Sequence, residues 1–360
     1  MSQITPETLS QTDALKVLVV DDSPMMCRVL EDILLKDDGV ALVDKALNGK
    51  EAISKISSAD YDVCTLDVHM PGMNGLSVLK NIMIRTPVPT LMVSAFTGDG
   101  SRVTFEALRY GAVDFFKKPS RTGDGDLLDQ AETLRQRVRR AAKVQVKAAR
   151  YLRLKPKMRP EPVPSSMAEV SELVVIHAGT GGYSSLLALI PAISKRPCSP
   201  IVISMTTPGT YLNAFVDYLA SYSSVPLKRA DKRQKLQPGT AYFLAGDEAA
   251  GFEQRGDKWE MAVETRPIDT ENEGPIDLVL LSASEHFGSG VLSIFLSGDS
   301  TWGLTGAEEV LRNRGRVVVQ EPSECLSPIT PDMVSKRLSV QAADTDSLKG
   351  MIEHWRAKTA

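Results

Sequence analysis

The stretch Tyr61–Gly75, YDVCTLDVHMPGMNG, decides how the rest of the chain is read. Tyr61–Leu66 is a short apolar run that stops abruptly at Asp67, the pattern of a buried strand. Pro71-Gly72 then turns the chain. A carboxylate at the carboxyl end of a buried strand lies at the mouth of an open α/β sheet, where such sheets place their chemistry. Asp67 is therefore the first candidate reactive group.

Around it, strand-like and helix-like stretches alternate. Lys16–Val20 is an apolar strand ending in Asp21-Asp22, and Ser23-Pro24 starts a helix, with serine as N-cap and proline at the first helical position. Ala41–Leu47 reads as a strand and Gly49–Ile56 as a helix. After Asp67 come a helix over Gly75–Met83, a strand over Thr90–Val93 ending at Ser94, a helix over Arg102–Tyr110 and a strand over Val113–Phe116 that runs into Lys117-Lys118-Pro119. Five strands alternating with helices predict a parallel sheet covered on both faces. Asp21, Asp22, Asp67, Ser94 and Lys118 all follow strand ends, so the fold brings them together. Carboxylates gathered there call for a hard divalent cation such as Mg²⁺, which prefers oxygen ligands and keeps several waters. Such a cation also neutralises charge on a transferring phosphoryl group. Ser94 can donate to a phosphoryl oxygen, and Lys118 can reach it as a point charge. The predicted role of Asp67 is to accept a phosphoryl group.

The 360-residue length favours two domains, and 42% hydrophobic with 24% charged residues is ordinary globular composition. A net charge of -3 gives no general pull toward nucleic acid or anionic membrane. Cys27, Cys64, Cys198 and Cys325 are far apart, with no C-x-x-C pair, and read as reduced cysteines of a cytoplasmic protein. The start, MSQITPETLSQTDA, lacks the pattern of a signal peptide, and no apolar run is long enough to insert in a membrane.

Arg121–Asp126 is a glycine- and aspartate-rich turn. Leu127 to about Leu154 has helical apolar spacing, predicting an amphipathic helix that closes the first sheet and runs on. From Arg135 to Arg159 every charge is positive, the solvated face of a linker helix or a contact for an acidic partner or nucleic acid. No base-reading motif accompanies it, so nucleic acid ranks below a protein partner. Pro156, Pro160, Pro162 and Pro164 end the helix and mark an exposed linker. The expected boundaries are a first domain over 15–142, a basic helical and proline-rich linker over 143–171, a second domain over 172–340 and an amphipathic tail over 341–360.

The second domain repeats the alternation, with strands at Leu173–Ile176, Pro200–Ser204, Gly239–Ala245, Trp259–Val263, Gly290–Leu296 and Arg316–Gln320. Helices are expected at Ser184–Ile193, Tyr211–Ala220, Pro275–Phe287 and Gly303–Arg314. The turn Gly179-Thr180-Gly181-Gly182 either cradles phosphate or simply needs positive φ; it has neither dinucleotide spacing nor a P-loop lysine. Glu264, Asp269, Glu271 and Glu273 make an acidic loop. Leu348, Met351, Ile352 and Trp355 are spaced for a tail helix docked on the domain.

Asp21-Asp22, Leu66–Gly75, Ser94-Ala95 and Lys118-Pro119 together resemble the receiver domain of two-component response regulators, over about Leu15–Ser120. The resemblance implies a flavodoxin-like (βα)5 receiver with Asp67 as phosphoacceptor and a histidine kinase as phosphodonor. It implies Mg²⁺ held by Asp21, Asp22, Asp67 and the His69 backbone carbonyl, and a switch formed by Ser94, Lys118 and the aromatic Phe115. The second half resembles the Rossmann-like catalytic domain of chemotaxis protein-glutamate methylesterases, over Val174–Leu187, Ile201–Tyr211, Pro275–Gly303 and Val317–Leu338. That family runs a Ser–His–Asp triad, and at the matching positions this chain has Gly179, Met205 and Trp302. Thr180 is the neighbouring hydroxyl that could act as a surrogate nucleophile, with His177 and Asp299 nearby in sequence. The expectation is a response regulator whose degenerate effector acts by binding a chemosensory or other signalling protein, with Trp302 as an interface anchor. The alternative is an active methylesterase or deamidase with a displaced nucleophile.

Overall fold

The computed structural model describes residues 14–94, 99–119, 127–146, 151–157, 170–266 and 273–355. The chain divides into two compact units, residues 1–146 and 147–360.

Unit 1 runs β1 (Leu15–Val20), α1 (Pro24–Leu34), β2 (Val40–Ala46), α2 (Gly49–Ser58), β3 (Val63–Asp67), α3 (Gly75–Arg85), β4 (Thr90–Ser94), α4 (Asp99–Arg109), β5 (Asp114–Lys117) and α5 (Leu127–Ala142). The strands form one parallel five-stranded sheet in the order β2-β1-β3-β4-β5. This is a doubly wound order, with β1 and β3 at the switch point. β3 and β4 are buried along their whole length, which is why their sequences are continuous apolar runs rather than alternating ones. Ser23, Asn48 and Asn74 cap α1, α2 and α3 by accepting N–H bonds in the first turn, so each helix starts just after a strand-end loop.

The expected long helix over 127–154 is shorter. α5 stops at Ala142, where Lys143 and Val144 donate to Arg140 and Ala141 in tight three-residue turns. Leu134, Val138 and Ala141 are buried along the helix, and Val144 is buried just after it. Part of the basic run is paired inside unit 1: Arg135 with Glu132 (2.6 Å), Arg137 with Asp114 (2.9 Å) and Arg139 with Asp37 (3.0 Å).

Unit 2 runs β6 (Leu173–Ala178), α6 (Gly182–Ala192), β7 (Ile201–Met205), α7 (Gly209–Ala220), β8 (Leu227–Arg229), β9 (Arg233–Lys235), β10 (Ala241–Leu244), β11 (Glu248–Arg255), β12 (Lys258–Thr265), α8 (Pro275–Phe287), β13 (Val291–Phe295), α9 (Leu304–Arg312), β14 (Arg316–Gln320), α10 (Ile329–Leu338), β15 (Ala342–Ala343) and α11 (Thr345–Glu353). A parallel seven-stranded sheet has the order β15-β14-β13-β6-β7-β10-β8. β11, β12 and β9 form a separate antiparallel sheet beside α8 that the sequence reading did not contain. The tail stretch adds β15 to the sheet edge and docks α11 on α6, the docked amphipathic helix its spacing predicts. The acidic loop lies in part outside the described residues. No helix among the described residues is long and apolar enough to cross a membrane.

Candidate functional sites

In unit 1 the loops after β1, β3, β4 and β5 converge. Ligand oxygens of Asp21, Asp22 and Asp67 lie within 4.8 Å of one another. Asp21 and Asp67 are buried and Asp22 is exposed. Lys118 Nζ sits 2.6 Å from Asp21 Oδ2 and 2.9 Å from Asp67 Oδ2, bridging the two buried carboxylates. Burial would lower the Lys118 pKa, but its bonds to Asp21 and Asp67 outweigh that and raise it. Burial pushes the Asp67 pKa up; Lys118 and the His69 backbone N–H pull it down, and the Asp21 charge adds to the rise. Gly75 is forced by the same packing, because a Cβ there would lie 2.0 Å from the Asp67 carbonyl oxygen. Ser94 and Phe115 are buried, and Phe115 meets the Phe105 ring edge-on at 5.5 Å. The His69 side chain is exposed. The donor set is all oxygen and anionic, which fits a hard divalent ion held by few protein ligands.

In unit 2 the corresponding sheet mouth is built by the turn after β6, the end of β7 and the segment 296–303 after β13. Gly181 has φ of +78°, so the tight-turn reading of the glycines holds there. A Cβ on Gly181 would lie 2.6 Å from both Leu326 Cβ and Ser297 Oγ. Ser297 fixes this turn from below: its Oγ donates to the Thr180 carbonyl at 2.8 Å, and its N–H donates to Gln320 Oε1 at 3.0 Å.

Gly179, Met205 and Trp302, the positions matched to the triad by sequence resemblance, are all engaged in packing. A Cβ on Gly179 would lie 2.9 Å from Gly298 Cα, so the turn closes directly on the opposite backbone. Met205 is 1% exposed, at the end of β7. The Trp302 ring covers Gly274, where a Cβ would lie 2.3 Å from Cδ2, and the side chain packs against the buried core as well. Trp302 is therefore half-buried, with part of its ring left exposed. Asp277 holds this loop from α8: it accepts from the N–H groups of Gly274 (2.9 Å), Gly303 (2.8 Å) and Gly306 (2.9 Å). Sequence reading missed Asp277, although an aspartate three residues after a glycine and two after a helix-starting proline is a capping pattern.

The remaining polar groups fall into two pairs. Thr180 Oγ1 donates to Asp299 Oδ1 at 2.8 Å. His177 Nε2 lies 3.5 Å from Ser300 Oγ. His177 is 2% exposed, and burial pushes its pKa down to about 4, offset in part by the Ser204 backbone opposite it on β7. The imidazole thus meets a serine, while the surrogate hydroxyl of Thr180 is engaged with a carboxylate.

A phosphoacceptor-type pocket in a (βα)5 sheet, followed by a second α/β unit, defines the class as response regulators with an effector domain. The family profile described as a response regulator receiver domain matches residues 17–130, and the one described as CheB methylesterase matches 174–352. The chain is 32% identical over 313 residues to a protein-glutamate methylesterase/protein-glutamine glutaminase of Pyrococcus abyssi, covering 85% of this chain and 84% of that one. It is 32% identical over 330 residues to protein-glutamate methylesterase/protein-glutamine glutaminase 3 of Vibrio cholerae, covering 90% and 91%. Among solved structures it is similar to the CheB methylesterase catalytic domain of Thermotoga maritima, at 25% identity and TM-score 0.47, covering 50% of this chain and 96% of that one. It is also similar to the response regulator domain of Thermotoga maritima CheB, at 40% identity and TM-score 0.34, covering 37% and 98%. The chain belongs to the CheB methylesterase family of response regulators.

Proposed function

We propose that this chain is a phosphorylation-controlled response regulator of a cytoplasmic chemosensory or other two-component system, and that its methylesterase-type domain acts by binding a signalling protein rather than by hydrolysing an ester. Asp67 is the acceptor and a histidine kinase the donor. Asp21, Asp22, Asp67 and the His69 carbonyl would hold Mg²⁺, which when bound supplies positive charge opposite the incoming phosphoryl group. Lys118 supplies a second positive charge from the loop after β5, Ser94 a hydroxyl donor, and Phe115 the aromatic whose packing can respond.

The observation that carries the effector reading is the occupancy of the three triad positions by Gly179, Met205 and Trp302. No hydroxyl, imidazole or carboxylate stands at any of them. Triad members act as a unit, and what survives their loss is roughly 10³–10⁴-fold over water. That is too little for ester hydrolysis at signalling speed. The binding face in this reading surrounds the 179–182 turn and the part of Trp302 left exposed.

Two measurements test the proposal. A small phosphodonor with Mg²⁺ labels the intact chain and fails to label Asp67→Asn; persistent labelling of the variant means that another residue is the acceptor. Incubation with methylated chemoreceptor fragments releases no methanol catalytically, with or without phosphorylation, and sustained turnover sinks the binding reading.

A further inference from the structure

We propose that Ser300 and His177 form a nucleophile–base pair, displaced from the family's triad positions, that accepts an acyl group from an activated carboxylic ester. Neither residue stands at a triad-equivalent position. His177 is the next-to-last residue of β6, two residues before Gly179, and Ser300 lies in the loop after β13, two residues before Trp302. The loops after these paired strands bring Nε2 to within 3.5 Å of Oγ, a distance typical of a relaxed nucleophile–base pair without substrate.

The surroundings favour this serine over the other hydroxyl of the cleft. Thr180 already donates to Asp299, so its hydroxyl is aimed at a carboxylate and not at the imidazole. Ser300 is half-buried, and its carbonyl is fixed by the Thr330 hydroxyl at 2.7 Å, which holds the residue in place. His177 is held by the Phe295 ring, edge-on at 6.0 Å, and is fully desolvated. An imidazole kept neutral by burial is in its base form across physiological pH.

In the acyl transfer, Ser300 Oγ forms the bond to the carbonyl carbon and the bond from that carbon to the leaving aryl oxygen breaks. The serine proton passes to His177 Nε2 and from there to the aryl oxide. The pair lacks a carboxylate on Nδ1, which makes no hydrogen bond of normal geometry. An imidazolium in that setting is poorly stabilised in both half-reactions, but the aryl oxide is a far better leaving group than the Ser300 alkoxide, so acylation by an activated ester outruns attack of water on the acyl-serine. The pair therefore acylates and stalls, which goes beyond the binding role without restoring turnover.

The test uses the full chain and p-nitrophenyl acetate. The expected result is a burst of about one nitrophenolate per chain, followed by a rate near background, with the acetyl group mapped to Ser300 by mass spectrometry. Ser300→Ala abolishes the burst. His177→Gln slows it by at least about 10²-fold, the usual worth of a general base, with the fold checked by thermal unfolding. The burst rate is flat between about pH 6 and pH 8 if His177 takes the proton. Acetyl on Thr180 or on surface lysines only, an undiminished burst in Ser300→Ala, a rate rising about tenfold per pH unit, or no burst at all overturns the pair. Catalytic methanol release from receptor fragments that persists in Ser300→Ala would instead overturn the binding proposal and leave this one standing, whereas release lost in Ser300→Ala would overturn both the binding proposal and the stalled pair.

Discussion

At the scale of single residues, the two sheet mouths have diverged by packing as much as by chemistry. Placing serine, histidine and aspartate at Gly179, Met205 and Trp302 is therefore predicted not to produce hydrolysis. Gly179→Ser must push Gly298 away, since a Cβ would lie 2.9 Å from its Cα. Met205→His places a polar ring where a fully buried thioether now packs, at a cost of about 2–3 kcal/mol unless it finds a partner. The triple variant Gly179→Ser/Met205→His/Trp302→Asp should show no methyl-ester turnover above the wild-type chain and a lower urea midpoint. Turnover approaching that of an active relative would mean that the cleft is still preorganised. A second expectation concerns Asp277, which is 2% exposed and accepts three backbone N–H groups. Asp277→Ala orphans all three and should cost on the order of 3 kcal/mol in urea unfolding; a loss under about 1 kcal/mol would mean that water replaces it. The acidic cluster, Ser94 and Lys118 were legible from sequence because each sits at a strand end where little but chemistry explains a charge. His177–Ser300 and Asp277 were not, because their partners lie 123 and up to 29 residues away and only the folded loops join them.

At the scale of elements, patterns with one dominant reason were readable and those with two were not. α8 and β14 have the bounds expected from sequence, since Pro275 fixes a helix start and the run Arg316–Gln320 is apolar and β-branched. β11 was missed because EAAGFEQR has no β-branched residue; it is a strand because Ala249, Ala250 and Phe252 are buried beside α8. α5 was overextended because helical apolar spacing continues in the sequence past Ala142, where the helix stops. The tail helix α11 is held by one carboxylate: Glu353 Oε1 accepts from Ser194 N–H (2.6 Å), Ser194 Oγ (3.1 Å) and Lys195 N–H (3.0 Å). Burial alone would raise the Glu353 pKa, but these bonds outweigh it and lower it. A carboxylate whose folded pKa is depressed adds stability above its unfolded pKa and loses it as pH falls through the folded value. Docking of α11 should thus weaken only in acid, below the ordinary glutamate range. Glu353→Gln should remove that acid step and open the carboxyl terminus to proteolysis at pH 7. Equal protease resistance of the variant would show that Leu348, Ile352 and the Trp355 bond to the Gly290 carbonyl suffice.

At the scale of the whole molecule, two units with separate cores and separate sheets imply two unfolding transitions, and the proposed regulation predicts that they are linked. Beryllofluoride with Mg²⁺ mimics a phosphoryl group on Asp67 and binds the folded receiver alone, so it stabilises that transition by RT ln(1 + [L]/Kd), about 2.7 kcal/mol at a hundredfold excess. Asp67→Asn should abolish this shift. The effector transition carries the further information. If the receiver's state changes how the effector or its partner packs, the coupling free energy is reciprocal and typically 1–3 kcal/mol, so the effector transition must move as well when the receiver is loaded. Calorimetry of the full chain, with and without the mimic, should therefore show a large shift in one transition and a smaller one in the other, with both lost in Asp67→Asn. A shift confined to the receiver, repeated in the presence of a binding partner, would falsify regulation of this domain by Asp67 while leaving the acceptor chemistry intact.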